Sequence, residues 1–191
     1  MKLHIYLFRH GQTYFNRDKR FTGWLDSKLT PRGIADARKI AQKLKCKRID
    51  VAFQTRLSRS KDTLKAVLKY HPECKTIITN DKMIERSYGK LQGKYHKAAI
   101  AKYGKEMFDK WHRAYDFPPP GGESAKMVEK RVLSFIKELL AFMKREKVNV
   151  AISAHGNSMR PFRRYFEHLT IEQMGKLENP WDNYFGYVVE A

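Results

Sequence analysis

Near the start of the chain an arginine, a histidine and a glycine follow directly on an apolar run, in Leu7-Phe8-Arg9-His10-Gly11-Gln12-Thr13. A strand ordinarily ends in turn residues. This one ends in a permanent cation, an imidazole able to act as a nucleophile, and a residue that permits a sharp turn and close approach of a ligand to backbone N–H groups. A second histidine stands in a similar setting far downstream, in Ile152-Ser153-Ala154-His155-Gly156-Asn157. Taken singly, a histidine after a strand is more often a structural hydrogen-bonder, and a single arginine more often part of a surface ion pair. The two histidines become a site only if the fold brings them together.

The elements around them predict that it does. Apolar runs at 3–8, 49–53, 76–79, 148–153 and 184–189 read as strands. Between them, Thr30-Pro31 makes an N-cap and first-turn pair for a helix over 31–45, with Ile34, Ala37, Ala41 and Leu44 on one face. A second helix is expected over 59–69, and a third over 95–113 that is broken at Gly104. The strongest helix covers 124–144, where Val128, Val132, Phe135, Ile136, Leu139 and Met143 recur at helical spacing. Phe117-Pro118-Pro119-Pro120-Gly121-Gly122 reads as a loop. Strand–helix alternation predicts an α/β three-layer sandwich: a mainly parallel central sheet with helices on both faces, in one domain over 1–191. Ligands of such sheets bind outside the carboxyl ends of the strands. If the strands ending at Arg9 and at Ser153 are parallel neighbours, both histidines share one crevice.

Composition narrows the function classes. With 191 residues, 42% hydrophobic and 13% aromatic, the chain can bury a real core. No apolar run reaches the roughly 18–20 residues a membrane helix needs, and the N-terminus lacks the pattern of a signal peptide. Cys46 and Cys74 have no metal-ligand spacing and read as reduced thiols of a cytoplasmic protein. The 39 Lys+Arg against 20 Asp+Glu give a formal charge of +19. That excess fits a solvated coat, attraction of small anionic substrates, or nucleic-acid binding. The cations are spread from Lys2 to Lys176 with no basic arm, RRM-type motif or zinc-finger spacing, so nucleic acid is the least favoured of the three.

Further residues complete the pattern. In order along the chain come Arg9-His10-Gly11, Arg59 in Thr55-Arg56-Leu57-Ser58-Arg59, Glu85 in Glu85-Arg86-Ser87-Tyr88-Gly89, and Ser153-Ala154-His155-Gly156-Asn157-Ser158. The combination resembles the histidine phosphatase superfamily, the phosphoglycerate mutase-like family, over most of the chain. The resemblance implies phosphoryl transfer through a phosphohistidine, and the residue types suit it. His10 would be the nucleophile, as a neutral imidazole with a free lone pair. Arg9, Arg59 and a protonated His155 would cage the equatorial phosphoryl oxygens, the arginines through a planar fork that stays charged. Glu85 would give the leaving oxygen a proton and take one from the next acceptor. Arg56 reads as a rim or salt-bridge residue. No metal is required by this chemistry.

Within the family the local motifs look like the cofactor-dependent phosphoglycerate mutases. Asn16 and Phe21-Thr22-Gly23-Trp24 resemble their phosphate-lining loop; Glu85 to Gly93, Trp111 to Pro120 and His155 to Arg160 resemble their substrate segments. By that resemblance Asn16, Thr22, Gly23, Tyr88, His96, Lys97, His112, Arg113, Gly156 and Asn157 would bind substrate, with 2,3-bisphosphoglycerate as the priming phosphoryl donor. Three departures stand beside it. His112 occupies the place of the first of two arginines, and His96, with Lys97 beside it, that of a lysine. The chain also runs directly through Gly121-Gly122-Glu123-Ser124, where mutases insert a long segment; that short form resembles the phosphatases of the superfamily. The leading expectation is therefore interconversion of 3- and 2-phosphoglycerate, with a phosphomonoester phosphatase as the alternative. A retired phospho-ligand-binding module or a basic nucleic-acid-binding protein are the remote ones. The segment Glu178 to Asn183 is expected over the sheet end or the pocket rim.

Overall fold

The computed structural model describes residues 1–191. Five strands form one sheet: β1 (Lys2–Arg9), β2 (Val51–Gln54), β3 (Thr76–Thr79), β4 (Val150–Ala154) and β5 (Tyr184–Glu190), in the order β3-β2-β4-β1-β5. β3, β2, β4 and β1 are parallel, and β5 closes the edge antiparallel to β1. β4 is buried along its whole length, as a central parallel strand must be.

Helices cover both faces. On one lie α2 (Pro31–Leu44) and α3 (Ser58–Leu68), which bury Ile40, Leu44, Leu64 and Val67 against Tyr6, Phe8 and Ala52. α2 starts as expected, with the Thr30 side chain accepting from Gly33 N–H and Pro31 in the first turn. Ile34 departs from the expectation: it is exposed, and Ile40 takes the inward stripe with Ala37, Ala41 and Leu44. On the other face lie α6 (Ala125–Glu146) and α7 (Gly156–Glu167). Val132, Phe135, Ile136, Met159 and Phe162 pack there on Ile5, Leu7 and Ile152.

Between β3 and α6 the chain makes an excursion through α4 (His96–Tyr103) and α5 (Lys105–Arg113). The two helices part at Gly104, whose φ of 82° is costly for any side-chain-bearing residue. Their small core of Phe21, Tyr88, Leu91, Ala99 and Trp111 floors one side of the strand ends. α1 (Tyr14–Arg17) and α8 (Ile171–Gly175) complete the set. The segment after β1 leads to α2 on one face and the segment after β4 to α7 on the other. The crevice between the carboxyl ends of β1 and β4 is thereby open to a ligand. No helix is long and apolar enough to cross a membrane.

Candidate active site

β1 and β4 pair in register, Arg9 opposite Ala154, and the His10 N–H donates to the Ala154 carbonyl at 3.1 Å. The next residue on each strand is a histidine. Their ring centroids lie 5.1 Å apart, and both side chains are buried. Behind His10, Gly11 and Gly33 meet backbone to backbone. A Cβ on Gly11 would stand 2.1 Å from the Gly33 carbonyl oxygen, so only glycine lets α2 approach this closely.

The hydrogen bonds assign the imidazole tautomers. His10 Nδ1 lies 2.7 Å from the Gly11 carbonyl, which can only accept, so Nδ1 carries the proton and Nε2 the lone pair. His155 Nε2 lies 2.8 Å from Thr55 Oγ1. The buried Thr55 hydroxyl has no other acceptor, so it donates to Nε2 and leaves the proton on Nδ1. Burial, then the charges of Arg59 and Arg9, hold His10 well below the ordinary imidazole range. Burial, Arg59 and the His10 ring do the same to His155. Burial thus favours the neutral form of both rings, and in that form His155 offers its Nδ1–H as a donor to a phosphoryl oxygen.

Arg59 projects from the first turn of α3, where the Thr63 hydroxyl donates to the Arg59 carbonyl at 2.8 Å; the Thr63 oxygen also accepts the Gly11 N–H at 3.1 Å. The Arg59 Nη atoms donate to the Leu25 and Gly23 carbonyls at 2.9 and 2.7 Å. Burial pulls Arg59 down to about 10, still charged at neutral pH. Arg9 donates to the Asn179 carbonyl at 3.2 Å and lies 4.9 Å from the Trp181 ring. Asn179 in turn donates to the Gly156 carbonyl. The C-terminal segment therefore backs the pocket by holding Arg9.

Glu85 is clamped from outside the cavity. Its Oε1 accepts the Arg86 and Asn157 N–H groups at 2.8 and 3.1 Å. Its carbonyl accepts from Trp24 Nε1 and Arg131, and Arg131 also ties the Lys82 and Ile84 carbonyls. Ligand atoms of Glu85, His10 and His155 lie within 4.8 Å of one another, a set that could hold a divalent metal. The adjoining Arg9 and Arg59 repel a dication and favour an anion. Arg9 Nε, Arg59 Nε and His155 Nδ1 are buried with no protein acceptor, a costly state that a bound anion's oxygens would relieve.

These groups line a cavity of about 120 Å3. Of the residues singled out in the sequence, Arg9, His10, Asn16, Thr22, Gly23, Arg59, Glu85, Tyr88, His96, His112 and Asn157 line it. His155 stands behind His10, and Gly156 opens α7 beside Arg9. Lys97 is exposed outside the cavity, and Arg113 borders a smaller adjoining one with Arg86 and Arg160. Arg56 pairs with Asp81 at the surface. Burial, His96 and Arg86 push His112 down to about 4, and burial and Lys19 lower His96. The wall of Phe21, Tyr88, His96 and His112 is thus aromatic and uncharged.

Sequence reasoning missed Arg20, which lines the cavity, and the supporting roles of Thr55, Thr63, Arg131, Asn179 and Trp181. Arg20 had one available signal, its place directly before Phe21-Thr22-Gly23. The others act across long sequence separations.

A parallel α/β sheet carrying paired histidines, buried arginines and a carboxylate at its strand ends defines a phosphoryl-transfer class, and residues 5–189 match the histidine phosphatase superfamily (branch 1). The chain belongs to that family and is an enzyme of the mutase or phosphatase kind. It is 42% identical to the 2,3-bisphosphoglycerate-dependent phosphoglycerate mutase of Parvibaculum lavamentivorans, over 89% of this chain and 82% of that protein. It is 38% identical to the 2,3-bisphosphoglycerate-dependent phosphoglycerate mutase 2 of Gloeobacter violaceus, over 91% of this chain and 80% of that protein. Among solved structures, a mycobacterial glucosyl-3-phosphoglycerate phosphatase shares the fold with a TM-score of 0.82 and 22% identity, over 97% of this chain and 90% of that one.

The buried neutral histidines set a pH dependence. The unfolded chain takes up protons near the ordinary imidazole value of about 6.5, while the folded chain resists them. Stability is therefore full above pH 7 and falls as pH drops below about 6.5. His10 and His155 each contribute a slope of up to about 1.4 kcal/mol per pH unit. Urea unfolding midpoints measured from pH 7.5 to 5 are expected to fall steeply below 6.5. A flat profile would show that these imidazoles are charged in the folded protein.

Proposed function

We propose that this enzyme interconverts 3- and 2-phosphoglycerate through a phosphohistidine at His10, primed by 2,3-bisphosphoglycerate. The observation that carries the phosphohistidine is the fixed neutral tautomer of His10. Its Nδ1–H is bound to the Gly11 carbonyl, leaving the Nε2 lone pair for the cavity lined by Arg59 and Glu85. Nε2 attacks phosphorus as the ester P–O bond breaks, and Glu85 gives the leaving oxygen its proton. An incoming hydroxyl then loses its proton to Glu85 and takes the phosphoryl group, and the N–P bond breaks. Arg9, Arg59 and the His155 Nδ1–H stabilise the charge on the equatorial oxygens. Asn16, Thr22 and Gly23 line the phosphoryl end, and Tyr88 and Asn157 the organic part, with Asn157 Nδ2 3.4 Å from the Tyr88 hydroxyl. The buried donors without protein acceptors fit the phosphate groups of 2,3-bisphosphoglycerate, which supplies the priming phosphoryl group.

The mutase reading is supported by the relatives that share about two residues in five with this chain. One observation favours hydrolysis instead. Gly121-Gly122 turns directly against Gly89 and Ser87, so the chain has no long segment there to cover the pocket while an intermediate reorients. In that case water replaces the second hydroxyl of glycerate as acceptor. Both readings use a small phosphorylated substrate, and the unpaired Cys46 and Cys74 agree with a cytoplasmic setting.

A paired assay decides between them. Conversion of 3- to 2-phosphoglycerate is followed with and without 2,3-bisphosphoglycerate, with phosphate release measured in the same tubes. Stimulated interconversion with little phosphate released is the expected result. Phosphate release without interconversion would leave the phosphatase reading.

A further inference from the structure

Three permanent cations line the catalytic cavity: Arg9, Arg59 and Arg20. Arg9 and Arg59 stand close enough to His10 to depress its protonation, and they are committed to the transferred phosphoryl group. Arg20 is separate. Its guanidinium lies 4.1 Å from the centroid of the Phe15 ring and 5.0 Å from that of Tyr95. Nε donates to the Gly93 carbonyl at 2.7 Å, and neither Nη has a protein partner. The backbone is fixed as well, with the Arg20 N–H on the Phe15 carbonyl and a bridge to Tyr95. A guanidinium stacked and tethered in this way has already lost its side-chain freedom, with its fork still to be used.

The remaining wall offers no competing charge. His96 and His112 are held neutral among Phe21, Tyr88 and Phe108. Arg86, nearest behind that wall, spends Nε and Nη2 on the Glu123 and Trp111 carbonyls at 2.6 Å each. Of the three arginines lining the cavity, Arg20 alone keeps both Nη groups without a protein partner, ready for a second acidic group of the substrate. We propose that Arg20 is the residue that selects for a carboxylate on the organic part of the phosphomonoester. The inference rests on the phosphoglycerate reading above and names the side chain that would enforce it.

The test is calorimetric binding of 3-phosphoglycerate and of glycerol 3-phosphate, which has a hydroxymethyl group in place of the carboxylate. It uses the full chain carrying His10→Ala, so that turnover does not consume the ligand. The protein with Arg20 is expected to prefer 3-phosphoglycerate by about 10- to 100-fold, the span of a charge-assisted hydrogen-bonded pair. Arg20→Gln is expected to bring that preference within about twofold, and Arg20→Lys, which keeps the charge without the fork, to leave an intermediate one. An undiminished preference in both variants, or none with Arg20 in place, overturns the proposal. If Arg20→Gln unfolds, Arg20→Lys alone reads it, and a preference equal to that of arginine overturns it. The readout is independent of the interconversion assay. Failure of that assay with a collapsing preference removes the mutase reading and keeps Arg20; the reverse keeps the reading and removes Arg20.

Discussion

The His10→Ala protein is expected to turn over at no more than about 10^-4 of the unaltered rate and to take up no phosphoryl label that acid removes and alkali spares. The size of the effect follows from the geometry. Nε2 is the imidazole lone pair set beside Arg9, Arg59 and Glu85, and its tautomer is fixed by a 2.7 Å bond from Nδ1 to the Gly11 carbonyl. Water in the vacated space would have to be positioned and deprotonated without that bond. The arginine cage would survive, so the variant should still bind inorganic phosphate. Rapid-quench phosphoenzyme trapping and steady-state rates together read the result. Appreciable turnover by His10→Ala would rule out the phosphohistidine.

Glu85→Gln is expected to slow reaction of alkyl phosphates by about 10^2- to 10^4-fold, the range of a positioned acid–base group. The loss should shrink to less than about tenfold with 4-nitrophenyl phosphate, whose leaving group departs without a proton. Glutamine can keep the Oε1 bonds from the Arg86 and Asn157 N–H groups at 2.8 and 3.1 Å, so the loop should hold its place. A purely structural role for Glu85 predicts equal losses on both substrates. Comparing kcat/KM for the two leaving groups in both proteins separates these cases.

Much of this was visible in the sequence, for local reasons. Thr30-Pro31, the apolar stripe from Val128 to Met143, and the short apolar runs carry their own structure, and all five strands lie within about two residues of their expected bounds. The meeting of His10 and His155 followed from strand ends and parallel topology alone. α7 was not foreseen. Its buried stripe of Met159, Phe162 and Pro161 is interleaved with arginines, and a proline inside the run argues against a helix. Nor could spacing reveal that Lys97 faces away while Arg20 lines the cavity, since that depends on Phe15, Gly93 and Tyr95 meeting around one guanidinium. The burial of His155 could not be read from its neighbours in the chain, and here it acts first in disfavouring the charged imidazole.

The register of Arg9 opposite Ala154 has a consequence for how this enzyme could change over time. The nucleophile and its companion imidazole are spaced by the hydrogen-bond lattice of two adjacent strands, not by the packing of any particular side chain. Substitutions in the hydrophobic layers above and below can accumulate without altering the gap between the two rings. The excursion through α4 and α5, which supplies the other wall, is under no such constraint. The part of the substrate surface that α4 and α5 supply, His96 and His112, can therefore change while the spacing of the two transfer imidazoles stays as it is.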